Sequence, residues 1–124
     1  MAVEDGAVLG YLLGQVVRRS LLAGVAPSED CITEVLALYE SLRKSRTTVN
    51  VLGAVANRKF FHLHDGQEQQ ERDAALAELD WFHGQAKWKW VDSGYQQNLL
   101  GFDAWRDAEF VFEQWWTERE SAKL

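Results

Sequence analysis

Hydrophobic positions recur at helical spacing along most of the chain, and that period predicts helices. From about Val3 to Ala23, the residues Val3, Leu9, Leu13, Val16, Val17 and Leu21 trace one apolar face. Gly24 and Pro27 follow, where a helix is expected to stop. Ser28 then stands as a cap before Glu29 and Asp30, whose charges suit a helix N-terminus. Ile32, Val35, Leu36, Tyr39 and Leu42 form the buried stripe of this second helix, and Arg43 and Lys44 end it. The third segment carries two readings. Thr47 to Val51 alternates and is β-branched, as a short strand would be. Leu52, Val55, Ala56, Phe60 and Leu63 instead keep the helical period, and a helix capped by Thr48 accounts for more residues.

Asp65 and Glu68 stand at capping-box spacing and open a fourth helix that runs to Trp90. At roughly 37 Å it either spans the molecule or bends at Gly84. One face carries Ala75, Leu76, Leu79, Phe82, His83, Ala86 and Trp90; the opposite face carries Ala74, Ala77, Trp81, Gly84 and Trp88. Asp92-Ser93-Gly94 breaks the pattern, and Tyr95 to Gly101 reads as a loop or single turn. Asp103 caps a fifth helix to about Glu120, with Ala104, Trp105, Ala108, Val111, Phe112, Trp115 and Trp116 on its apolar arc. Phe110 falls outside that arc. The expected fold is all-α: a compact bundle of about five helices in one domain over residues 1–124, with a short strand as the alternative for the third segment.

Composition narrows the setting. A chain of 124 residues suits one domain, and a single proline excludes a Pro-rich linker. The one cysteine, Cys31, has no internal disulfide partner and fits a reducing, cytoplasmic compartment. Glu4 and Asp5 stand where a signal peptide would carry basic residues. Gln15, Arg18 and Arg19 interrupt the longest apolar stretch, so no membrane span is expected.

The net charge of −6 is uneven: residues 1–64 hold seven Lys/Arg against six Asp/Glu, and residues 65–124 hold six against thirteen. The second part also contains all six tryptophans, Trp81, Trp88, Trp90, Trp105, Trp115 and Trp116. An acidic, Trp-rich surface repels phosphate backbones and suits a protein partner.

Three features are candidates for function. Gly6, Gly10 and Gly14 stack on one helix face. Each costs about 1 kcal/mol against alanine, so close packing on another helix of the chain, or a homodimer seam, is expected in return. Membrane contact is a weaker third option, because the helix is too polar. Trp81 and Trp88, with Ala77 and Gly84, follow the seam spacing of a coiled coil and form a partner-binding ridge if that face is not buried centrally. Lys87 and Lys89 would flank it. Phe110, with Phe102, would extend this into an aromatic patch.

Catalytic chemistry is not evident. His62, His64, Asp65, His83 and Cys31 lack the spacing of a zinc site, so no metal is expected. The chain has no nucleophile elbow, P-loop, metalloprotease motif or dinucleotide fingerprint. Glu78 with Asp80, and Asp107 with Glu109, are two apart and do not face each other on a helix. No enzyme, cofactor or small-molecule substrate is therefore inferred. The expected function is a small acidic interaction protein: an accessory subunit, adaptor or inhibitor, of the kind mobile elements and phages encode by analogy of size and composition. It would bind a partner protein, or itself, through the aromatic and acidic surface of residues 74–116. The alternative is a nucleic-acid-binding regulator using residues 43–59, where Arg43, Lys44, Arg46, Arg58 and Lys59 flank a recognition-helix-like start. The acidic total charge weighs against it.

Overall fold

A computed structural model describes residues 1–122, and every regular element among them is helical. The order is α1 (Ala2–Leu22), α2 (Glu29–Phe61), α3 (Gln67–Ala77), a 3-10 turn (Lys89–Val91), α4 (Ser93–Leu100) and α5 (Ala104–Ser121). The fold is an all-α helical bundle, and the strand reading of the third segment does not hold. The chain divides into two compact units: Met1–Thr47 together with α5, and Thr48–Phe102.

The first unit is built around Val8, Tyr11, Leu12, Val16, Cys31, Val35, Ala108 and Phe112, which form one buried cluster. The spacing of Val8, Leu12 and Val16 places them along one side of α1. Of the expected face, Val16 is buried and Leu13 packs against the cluster, whereas Val3, Val17 and Leu21 are exposed. Both faces of α1 are apolar, and periodicity alone does not say which one meets the core. α1 stops where expected: Val25 N–H donates to the Ser20 carbonyl and Gly24 N–H to that of Leu21, a Schellman closure. On α5 the expected arc faces inward through Ala108 and Phe112, with Trp115 and Trp116 packed beside them. Trp105 is half-exposed at the edge, 4.8 Å from the Tyr11 ring.

The expected end of a helix at Lys44 does not occur, and the second and third segments form the single helix α2. Residues 45–48 contain no glycine or proline to break it. The Thr47 hydroxyl donates back to the Arg43 and Lys44 carbonyls, 3.0 Å each, which accommodates a β-branched residue inside the helix.

In the second unit, Phe60 and Val91 are the buried apolar side chains. Gly53 is buried as well, because Tyr95 lies across it: a Cβ there would collide with the Tyr95 hydroxyl. The expected stripe Leu52, Val55 and Ala56 is exposed.

The fourth expected helix ends at Ala77 rather than Trp90. The cause is local. Asp80 Oδ1 accepts the N–H groups of Phe82 (2.9 Å) and His83 (3.2 Å), a side-chain turn that competes with helix. The capping box also fails to form: Gly66 is the N-cap of α3, with no side-chain cap bond. Asp92, expected only to break the chain, caps α4 by accepting Tyr95 N–H at 2.8 Å. Its other oxygen accepts Ala86 N–H at 3.0 Å.

Candidate interaction surfaces

Gly6, Gly10 and Gly14 share a side of α1 with Val3, Val17 and Leu21, opposite Val8, Leu12 and Val16. A Cβ on any of the three glycines would meet nothing within 4 Å. The expected packing of this stripe on another helix of the chain is therefore absent among the described residues. Val3 is 87% exposed and Leu21 71%. The result is a smooth apolar face, shallow at its centre and flanked by branched side chains.

The basic segment is placed differently from expectation. Arg43 is only 3% exposed. Its Nε donates to Asp5 Oδ1 and its Nη2 to Glu4 Oε2, both at 2.7 Å. Arg46 holds Glu4 by two bonds of 2.9 Å, from Nε and Nη2, the fork geometry that suits a carboxylate. The hydrogen bond from Arg46, reinforced by Arg43 and opposed by partial burial, lowers the Glu4 carboxyl from 4.5 to about 2. Arg43 and Arg46 thus neutralise carboxylates inside the first unit. Lys44 pairs with Glu40 at 2.9 Å; Arg58 and Lys59 are exposed on α2. Nothing in the sequence pattern marked Arg43 as buried. The available signal was the Glu4–Asp5 pair in an apolar first turn, which needs a cation.

The tryptophan ridge is also corrected. Ala77 ends α3, and Trp81, Gly84 and Trp88 lie beyond it in non-helical chain, so no coiled-coil seam exists. The two tryptophans have different roles. Trp81 (58% exposed) and Phe82 (80%) stand at the tip of the Asp80 turn. Gly84 closes that turn through its N–H to the Asp80 carbonyl, 2.7 Å. A Cβ on Gly84 would lie 2.5 Å from that same oxygen. Trp88 is half-buried, 5.5 Å from the Phe60 ring. It lines a cavity of about 510 Å³ with Ala56, Lys59, Phe60, Glu71 and Ala75. Phe110 is exposed on α5, outside the apolar arc as its spacing implies.

No group of three His, Cys, Asp or Glu side chains could hold a metal ion among the described residues. No helix among them is long and apolar enough to cross a membrane.

Set against known proteins, the chain is similar to part of an enzyme. Over 103 residues it is 35% identical to the FAD-dependent monooxygenase OpS4 of Beauveria bassiana (strain ARSEF 2860). The match covers 83% of this chain and 22% of that enzyme, so the chain spans about a fifth of the relative's length. No family model matches, and no solved structure matches. The similarity thus concerns one stretch of a much longer enzyme.

Proposed function

We propose that this chain acts by binding another polypeptide, contributing a packing surface and no catalytic group of its own. The observation that supports this reading is the second apolar face of α1. Val3, Val17 and Leu21 flank three glycines there, and no described residue of the first unit covers them. Apolar patches of this kind mark interaction sites. The glycines let a partner backbone approach closely, which offsets their cost within the helix.

The partner of choice is a chain of the flavin-dependent monooxygenase type. The support for it is the match to a fifth of such an enzyme: a stretch with that ancestry suits the surface of the remaining fold. In this reading the tryptophan-rich, acidic region is a secondary surface.

The test is capture of the tagged chain from its source cells, followed by assay of the eluate for released FAD. The expected result is a co-captured polypeptide carrying FAD, lost when Gly10→Leu fills the centre of the α1 face. Leucine is a better helix former than glycine, so the variant retains its helicity. A captured partner without flavin, or flavin retained with the variant, overturns the reading.

A further inference from the structure

The last turn of α2 carries a group of side chains that the α1 face and the cavity beside Phe60 do not share. Arg58, Phe61 and His62 stand three and four apart, so they lie on one side of the helix. The chain then leaves the helix and brings Leu63 and His64 beside them, and these five residues line an open hollow of about 690 Å³. Among the described residues no carboxylate lines it. Glu68 lines the neighbouring groove with Lys59, and Asp65 lines neither. Arg58, His62 and His64 make no ion pair or side-chain hydrogen bond among the described residues. The charged groups around the hollow are thus of one sign and uncommitted, whereas the rim beside Phe60 mixes lysines with glutamates.

Charge and shape together describe the ligand. A guanidinium presents a planar fork of N–H donors that fits phosphate oxygens, and an imidazole donates an N–H even when neutral. Phe61 is 59% exposed, yet its ring stands edge-on to buried Phe60, with centroids 5.0 Å apart at 77°. An exposed ring held by a buried neighbour is a stacking surface for a flat heterocycle. The helix end itself does not present bare carbonyls there: Arg72 Nη1 donates to the Phe60 carbonyl at 2.8 Å, and His62 N–H to the Arg58 carbonyl at 3.1 Å. The volume lies in the range of small-ligand sites.

We infer that the hollow at the end of α2 binds a small nucleotide, with its phosphates on Arg58, His62 and His64 and its base on Phe61. The net charge of −6 repels a long polyanion and favours a short, free ligand. The site belongs to the second unit alone and is independent of the α1 face.

Equilibrium dialysis of the purified full chain against ATP tests this, without divalent metal and at about 100 mM salt to screen the net charge. Binding is expected, weakened about tenfold by the double variant R58A/H62A, which removes two phosphate donors. Phe61→Leu keeps an apolar contact for Phe60 and removes the ring face; it should weaken ATP about threefold and leave inorganic tripolyphosphate unchanged. Circular dichroism checks that the variants remain helical. If Phe61→Leu unfolds, the native chain reads the ring instead, and should bind ATP more tightly than tripolyphosphate. No binding at about 5 mM ATP overturns the inference. So does ATP binding that R58A/H62A or folded Phe61→Leu leaves unchanged, or tripolyphosphate binding as tight as that of ATP. A single-stranded oligoadenylate that binds about tenfold more tightly than ATP overturns the small-ligand assignment in favour of a nucleic-acid strand.

Discussion

In the first unit, eight buried residues form one connected cluster, and the α5 tryptophans close over it. Arg19 lies over the Phe112 and Trp116 rings at 5.1 and 5.2 Å, and Arg119 over Trp115 at 5.9 Å. The same two arginines pair with Glu113 and Glu34. In residues 48–102, by contrast, burial is confined to Gly53, Phe60 and Val91. What holds that unit is largely local bonding: the Asp80 turn, the Asp92 clamp on Ala86 and Tyr95, and Arg72 donating to the Phe60 carbonyl at 2.8 Å. Apolar burial scales with area, whereas a net hydrogen bond contributes only about 1 kcal/mol. The second unit should therefore open at lower free energy than the first, as locally bonded regions do.

The largest expected effect comes from the two phenylalanines that centre the units. Phe112→Ala should cost about 4 kcal/mol and melt the first unit; Phe60→Ala should cost about 3 kcal/mol. Urea unfolding with residue-resolved amide exchange separates them. Exchange that quickens mainly within 48–102 for Phe60→Ala sharpens the contrast. Equal acceleration throughout the chain would mean one cooperative block and break it.

Removing Arg43 strands Asp5 and leaves Glu4 to Arg46. Arg43→Ala should destabilise the first unit by about 3 kcal/mol at neutral pH, because the half-buried Asp5 loses its counter-charge and Glu4 one of two. An effect below about 1 kcal/mol in urea titration would place the pairs among ordinary surface bridges.

Acid reads the same cluster more gently. The Glu4 carboxyl is lowered from 4.5 to about 2. The stability it adds is present above pH 4.5 and fades as the pH falls toward 2. Allowing for partial exposure, the loss is about 2 kcal/mol. Unfolding curves over that window should show it for the native chain and not for Glu4→Gln.

The smallest expected effect lies under Tyr95. Gly53→Ala gains helix propensity but meets the phenolic hydroxyl, and the two terms nearly cancel. Adding Tyr95→Phe removes the clash, so the double variant should be about 1 kcal/mol more stable than Gly53→Ala. No gain on thermal melting would show that the ring already moves aside.

What could be read from the sequence follows the same division. The α5 arc was legible because one clean face carries Ala108, Phe112, Trp115 and Trp116 against acidic residues opposite. α1 was legible as a helix but not in its orientation, since Val8, Leu12 and Val16 compete with an equally apolar face. The join at Thr47 was missed because β-branched residues suggest a strand until the hydroxyl is seen bonding back to Arg43 and Lys44. The chain beyond Ala77 was misread for a different reason. A helical period persists from Ala74 to Trp88, yet one aspartate side chain bonding its own backbone outweighs it. Of the candidate sites, the glycine face was visible as spacing, its openness was not, and the cavity beside Phe60 left no pattern at all.

The six indoles divide evenly, with Trp105, Trp115 and Trp116 in the first unit and Trp81, Trp88 and Trp90 in the second. Trp115 and Trp116 lie 5.8 Å apart at 70°, close enough for exciton coupling in near-ultraviolet circular dichroism. Trp81, open to water, should emit further to the red than the α5 pair. The chain therefore carries a built-in optical reporter of its first half, since near-ultraviolet ellipticity follows the α5 pair without any added label.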